Sequence, residues 1–207
     1  MDAFIRLTGG APAAALLLAT FVIVSLVGLH GSPALVERNL LRPYEVARGR
    51  GLATLVTSGF VHADLVHLIF NGFTFWAFGF GLERSIGTPA FAVLYAAGLL
   101  ASSIATCAIH RHRPDYASLG ASGAILAVLF AAIVVFPQSS IFILPIPVPI
   151  PAPVFAVCYL AFSVLAGRGR VGRVNHDAHV VGALAGLAFM AVTDPAALSR
   201  AVDTWLA

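Results

Sequence analysis

The chain has 207 residues, of which 59% are apolar and only 10% charged, with a mean hydropathy of +0.94. A soluble domain needs roughly 25% charged residues to cover its surface, so a water-soluble fold is excluded and most of this surface must face lipid. The net charge is +3, but all twelve basic residues are Arg, scattered through short connections rather than gathered on one face; that is no footing for nucleic acid.

A bilayer core of about 30 Å takes roughly 20 apolar residues to cross. Charge-poor windows near that length occur at 12–30, 62–82, 90–109, 119–136, 150–166 and 179–193, predicting an all-α, polytopic bundle of six transmembrane helices. The opening MDAFIR and its apolar stretch resemble a secretory signal, but no small-residue cleavage site precedes Gly31-Ser32-Pro33, so the first helix is read as retained. The connection 31–61 mixes Arg38, Arg42, Arg48 and Arg50 with exposed-pattern leucines, which predicts a structured loop at the membrane interface. No separate soluble domain is expected, so 1–207 reads as a single membrane-embedded domain. The proline-rich, uncharged run from Leu144 to Pro153 predicts an extended turn leading into the fifth span. Cys107 and Cys158 lie in apolar runs and give no disulfide framework.

Polar side chains inside spans are costly and mark function. The second span carries His62, His67 and Asn71, the fourth opens on Gly120-Ala121-Ser122-Gly123, and the sixth carries His176, Asp177 and His179. Ser122 and His179 each precede the close of their span by 15 residues, and His67 by 16. At 1.5 Å per residue these are depths of roughly 22–24 Å, which is one common level. A serine becomes a nucleophile beside a histidine base. Ser122 heads a helix, whose free N–H groups favour an oxyanion, and His67 and Asn71, at i and i+4, share one helix face as further donors. Gly120 and Gly123 leave room for a substrate backbone. Gly182 and Gly186 form a small-residue stripe that lets two helices approach.

With these residues in place, the chain resembles the rhomboid family of intramembrane serine proteases. HADLVHLIFN (62–71), GFGLERSIG (79–87), GASG (120–123) and AHVVGALAG (178–186) match its motifs in order. The resemblance implies a Ser122–His179 dyad without an acidic third member, and an oxyanion hole of His67, Asn71 and the Ser122 N–H. It implies His62 in support, no cofactor or metal, and transmembrane protein substrates as partners in the bilayer. Oligomeric state is not implied. Asp177 lies two residues from His179 on one helix and points away from it, so Asp177 and His176 are read as junction residues. The family's aromatic residue one turn after the nucleophile is here Leu126, which leaves the orientation of His179 to packing. The Trp-Arg pair of the first loop is reduced to Gly49-Arg50.

The resemblance also implies a cytoplasmic N-terminus and a site opening to the exterior, and the Arg-only, Ala-rich composition points to a bacterial inner membrane. The arginines disagree: nine would lie in exterior connections, and only Arg6, Arg84 and Arg200 inside. Two other functions fit parts of the pattern. A metal site on His62, His67, His176 and His179 has poor ligand spacing and no shared carboxylate. A catalytically silent rhomboid-like protein that binds transmembrane clients would need neither Ser122 nor His179.

Overall fold

A computed structural model describes residues 8–143, 146–169 and 174–206. Arg6, Arg170 and Arg173 of the arginine tally, and Leu144 and Pro145 of the proline-rich run, lie outside the described residues. The fold is an all-α polytopic membrane bundle, and the chain is a multi-pass integral membrane protein. Among the described residues its six apolar helices are α1 (Pro12–His30), α5 (Leu65–Ile86), α6 (Thr88–His110), α7 (Ser122–Val135), α8 (Ala152–Gly169) and α9 (His176–Thr193). Four of them, α1, α5, α6 and α9, are long and apolar enough to cross a membrane.

The fourth helix, α7, has only 14 residues, about 21 Å of rise. Every residue from Gly123 to Val134 is buried, against α5, α6 and α9. A helix apolar all round is a core helix. Because its neighbours surround it, α7 need not match the bilayer thickness, and its first residue, Ser122, starts inside the bundle.

Helix α1 is tied to the bundle by a charge. Glu83, on α5, is 1% exposed. Its carboxylate accepts from the backbone N–H of Ala13 (3.0 Å) and Ala14 (2.6 Å), in the first turn of α1, and from the Thr88 hydroxyl (2.7 Å). No side chain of α1's own caps that end, so Glu83 supplies the acceptor that orphan N–H groups and the helix dipole both favour. Gly79 and Gly87 serve the same corner. Gly79 packs against the Phe75 and Phe91 rings, and Gly87, at φ +83°, makes the turn into α6.

The connection 31–61 is structured, with short helices α2 (Pro33–Asn39), α3 (Pro43–Val46) and α4 (Thr54–Thr57) and a 3₁₀ turn at Ser58–Phe60. Glu37 pairs with Arg42, Glu45 with Arg50, and Arg48 stacks on Tyr44. Leu41 and Ser118 exchange backbone hydrogen bonds, which pins this connection to the loop before α7.

Two elements differ from the sequence reading. Within the proline-rich run, Ile146–Pro151 is extended as expected and leads into α8, but it is a paired strand, β2, antiparallel to β1 (Ser140–Ile143). Pro147, Pro149 and Pro151 alternate, so their missing N–H groups fall on one edge of β2 and need no partner. Past Asp194 the chain re-enters a helix, α10 (Pro195–Leu206), opened by Pro at its first position and by an Asp194 carboxylate that accepts from Ala197 N–H at 2.9 Å.

Glu83→Ala leaves two buried N–H groups without an acceptor, and we expect it to cost about 3 kcal/mol of stability in denaturant unfolding from detergent. Glu83→Gln, which keeps one acceptor oxygen, should lose less.

Candidate active site

Ser122 is the first residue of α7, and no side chain caps that helix. The turn that delivers it is built around Gly120, at φ +114°, a conformation that favours glycine. A Cβ there would sit 2.5 Å from Cε1 of His67, so the imidazole of α5 occupies the space a side chain would take. Gly120 N–H donates to the Ser58 carbonyl at 2.9 Å.

His62 braces the same turn and is fully buried. Its Nε2 accepts from Ala121 N–H at 3.5 Å, and its Nδ1 lies 2.9 Å from Ser25 Oγ on α1. Ser25 in turn donates to the Phe60 carbonyl at 3.3 Å. One tautomer satisfies the whole chain: Nδ1 carries the proton and Nε2 is the acceptor. With both ring nitrogens engaged, His62 has no lone pair left for a metal ion, which removes one ligand from the metal reading. His62 and His67 meet edge to face, with ring centroids 4.9 Å apart. Asn71 is buried one turn below His67, with one amide N–H on the His67 carbonyl at 3.1 Å.

The sixth helix, α9, meets α7 at backbone contact. A Cβ on Gly182 would fall 2.1 Å from the Gly123 carbonyl oxygen, and one on Gly186 would fall 2.2 Å from that of Ala127. On the opposite flank, a Cβ on Gly98 of α6 would lie 2.5 Å from the Ala127 Cβ. Gly123 faces Ala178 and Gly182, the residues that bracket His179, so Ser122 and His179 occupy facing turns. No hydrogen bond joins the Ser122 hydroxyl to the His179 ring among the described residues. Ser122 and Gly123 line a small cavity of about 30 Å³ with Ser102, Ser118 and Asn175. Its lining is mixed, with Leu41, Leu99 and Leu119 beside the polar groups, and it has room for a water molecule or two.

Although position 126 is Leu rather than aromatic, His179 is held by more than packing. Its Nδ1 lies 2.9 Å from the hydroxyl of Tyr159 on α8, and the two rings are nearly parallel at 6.3 Å. Leu126 itself is buried in the α7–α9 core. Tyr159 carries one mark in the sequence: a phenol in an apolar span needs a partner for its hydroxyl. His176 and Asp177 begin α9, and Asp177 pairs with His110 at the end of α6 (3.1 Å), away from His179. Asn175 caps α9, accepting from Ala178 N–H at 3.1 Å and donating to Thr106 at 2.9 Å. An Asn just before the first helical residue is the signal that identifies it.

A Rhomboid domain model matches residues 49–195, a span that includes every residue of this site from Ser58 to His179. The chain belongs to the rhomboid family. It is 30% identical over 138 residues to Presenilin-associated rhomboid-like protein A, mitochondrial, of Danio rerio, covering 64% of this chain and 35% of that protein. It is 30% identical over 139 residues to Rhomboid protein 1, mitochondrial, of Saccharomyces cerevisiae, covering 66% of this chain and 40% of that protein. Rhomboid protease GluP of Bacillus subtilis is 36% identical over 81 residues, covering 39% of this chain and 15% of that protein. This rhomboid chain therefore matches between 15% and 40% of the length of these curated relatives.

The backbone contact is testable by size alone. Gly182→Ala should cost roughly 2–3 kcal/mol, because the obstacle is a carbonyl that cannot rotate away. Gly72→Ala, where the nearest atom is 3.8 Å off, should stay within about 0.5 kcal/mol of wild type in thermal melts.

Proposed function

We propose that this rhomboid chain is an intramembrane serine protease that hydrolyses peptide bonds in or beside the transmembrane segments of membrane proteins. The observation that carries the reading is Ser122 at an uncapped helix head, facing the His179 turn across the Gly123–Gly182 contact. The Ser122 hydroxyl attacks the scissile carbonyl and gives its proton to His179 Nε2. Charge on the carbonyl oxygen is met by the Ser122 N–H, the His67 ring and the Asn71 amide. His179 returns the proton to the leaving amine, and an acyl-enzyme remains on Ser122. Water, activated by His179, then attacks the acyl carbonyl and releases the product. His62, Gly120, Gly123, Gly182 and Gly186 support the turn and the helix contact, and the scheme requires no cofactor. The missing Ser122–His179 hydrogen bond accords with this scheme, since such bonds are often long before substrate binds.

That same missing bond is what favours a second reading, a catalytically silent rhomboid-like protein that binds transmembrane clients. One experiment separates the two. Purified protein in liposomes should cleave a transmembrane substrate, with Ser122→Ala and His179→Ala each at least about 10³-fold slower. His67→Ala or Asn71→Ala should cost roughly 10–10³-fold. Cleavage that survives Ser122→Ala defeats the protease reading, and no cleavage by the wild type favours the binder.

We further propose that residues 1–207 form one membrane-embedded domain, with 31–61 at the interface beside the mouth of the site. The exposed Leu52 and Val56 near Arg48 and Arg50 support that position. The chain sits in a bacterial inner membrane with the mouth outward and the N-terminus in the cytoplasm, against the arginine balance. A reporter fused after Ala207 should then read as cytoplasmic, and an exterior signal would reverse the orientation.

A further inference from the structure

The chemistry proposed for His179 sets a condition on its other ring nitrogen. To take the Ser122 proton, Nε2 must present a lone pair, so Nδ1 must carry the hydrogen and donate it. The partner at Nδ1 must therefore accept. Here that partner is the Tyr159 hydroxyl, at 2.9 Å. A hydroxyl can play either part. If Tyr159 donates to Nδ1, the ring proton moves to Nε2 and His179 cannot act as a base. The useful tautomer requires the Tyr159 hydrogen to point elsewhere, at another acceptor.

The fold supplies one. Ser163 lies one turn beyond Tyr159 on the same face of α8, beside its hydroxyl. It is 1% exposed, and its Oγ is buried with no hydrogen-bond partner among the described residues. No bond of full geometry joins the two hydroxyls here, but a rotation of the Tyr159 O–H toward Ser163 would satisfy both. The Tyr159 ring is held in place meanwhile, stacked on Phe155 at 5.4 Å and tilted against Phe130 of α7 at 6.2 Å. His176 closes the other side of the imidazole, edge to face at 5.9 Å.

We infer that Tyr159 is a positioning residue for His179, and that Ser163 sets the direction of the Tyr159 hydroxyl so that His179 Nδ1 donates and Nε2 is free. The inference rests on the protease reading. In the reacting step one proton passes from Ser122 Oγ to His179 Nε2. The Nδ1 hydrogen stays on the ring, and the Tyr159 oxygen accepts a stronger hydrogen bond from the imidazolium without itself changing protonation. A phenol one helix away thus does what an acidic third member does in other serine hydrolases: it holds the tautomer and stabilises the cation. It adds no buried charge.

The test is cleavage kinetics on the reconstituted full chain, with Ser122→Ala as the blank. Tyr159→Phe keeps the ring and its stacking but removes the hydroxyl. We expect kcat to fall roughly 10- to 100-fold, the worth of one hydrogen bond to a charged group, with KM and melting temperature at wild-type values. Ser163→Ala should lower kcat less, and Ser163→Thr, which keeps a hydroxyl, should restore it. In Tyr159→Phe/Ser163→Ala, kcat should match Tyr159→Phe alone, because Ser163 acts only through Tyr159. Wild-type kcat in Tyr159→Phe, or losses that multiply in the double variant, would overturn the inference while leaving the dyad standing. Absence of Ser122-dependent cleavage by the wild type would remove both.

Discussion

Two glycines and two carbonyls decide what this bundle can do. Where α9 crosses α7, Gly182 and Gly186 lie against the Gly123 and Ala127 carbonyl oxygens with no space for even a methyl group. In lipid, helices gain nothing from hiding apolar surface from one another, so close van der Waals contact between small residues is what holds them. The same contact has a chemical consequence. It brings the turn bearing His179 opposite the turn bearing Ser122, which wider helix spacing would prevent. Packing and proposed catalysis share one constraint.

The remaining polar groups are arranged around the helix head that this contact exposes. Gly120 yields its side-chain space to the His67 ring, and His62 spans from Ser25 of α1 to the Ala121 N–H. Glu83 works farther away, holding the start of α1 against α5. His62 and Glu83 thus answer backbone donors or another side chain, as a medium without water demands. Among the described residues the Tyr95 and Ser163 hydroxyls and His176 Nδ1 are buried without a partner, and of these the Ser163 hydroxyl lies beside Tyr159.

The apolar windows were legible because roughly 20 residues without charge are rare outside membranes. The site was legible because Ser122, His179, His67 and Asn71 are polar in apolar surroundings, and because their motifs fall in rhomboid order. What the sequence concealed is tertiary. Position 126 is Leu, so the sequence shows no support for the imidazole, and only the fold brings Tyr159 of α8 to Nδ1. Glu83 stands out as a charge in a helix, but its partners at 13 and 14 lie some 70 residues away. The pairing of β1 with β2 was hidden for a different reason. Prolines exclude a helix, and whether extended chain pairs with itself depends on which edge the prolines occupy.

The central claim is that Ser122 is a nucleophile made reactive by His179. A fluorophosphonate probe, applied to the protein in detergent with the adduct mapped by mass spectrometry, tests it without knowledge of any substrate. The account predicts a single adduct on Ser122, formed far more slowly in His179→Ala. An adduct on another serine, or labelling of Ser122 at an unchanged rate without His179, would contradict it.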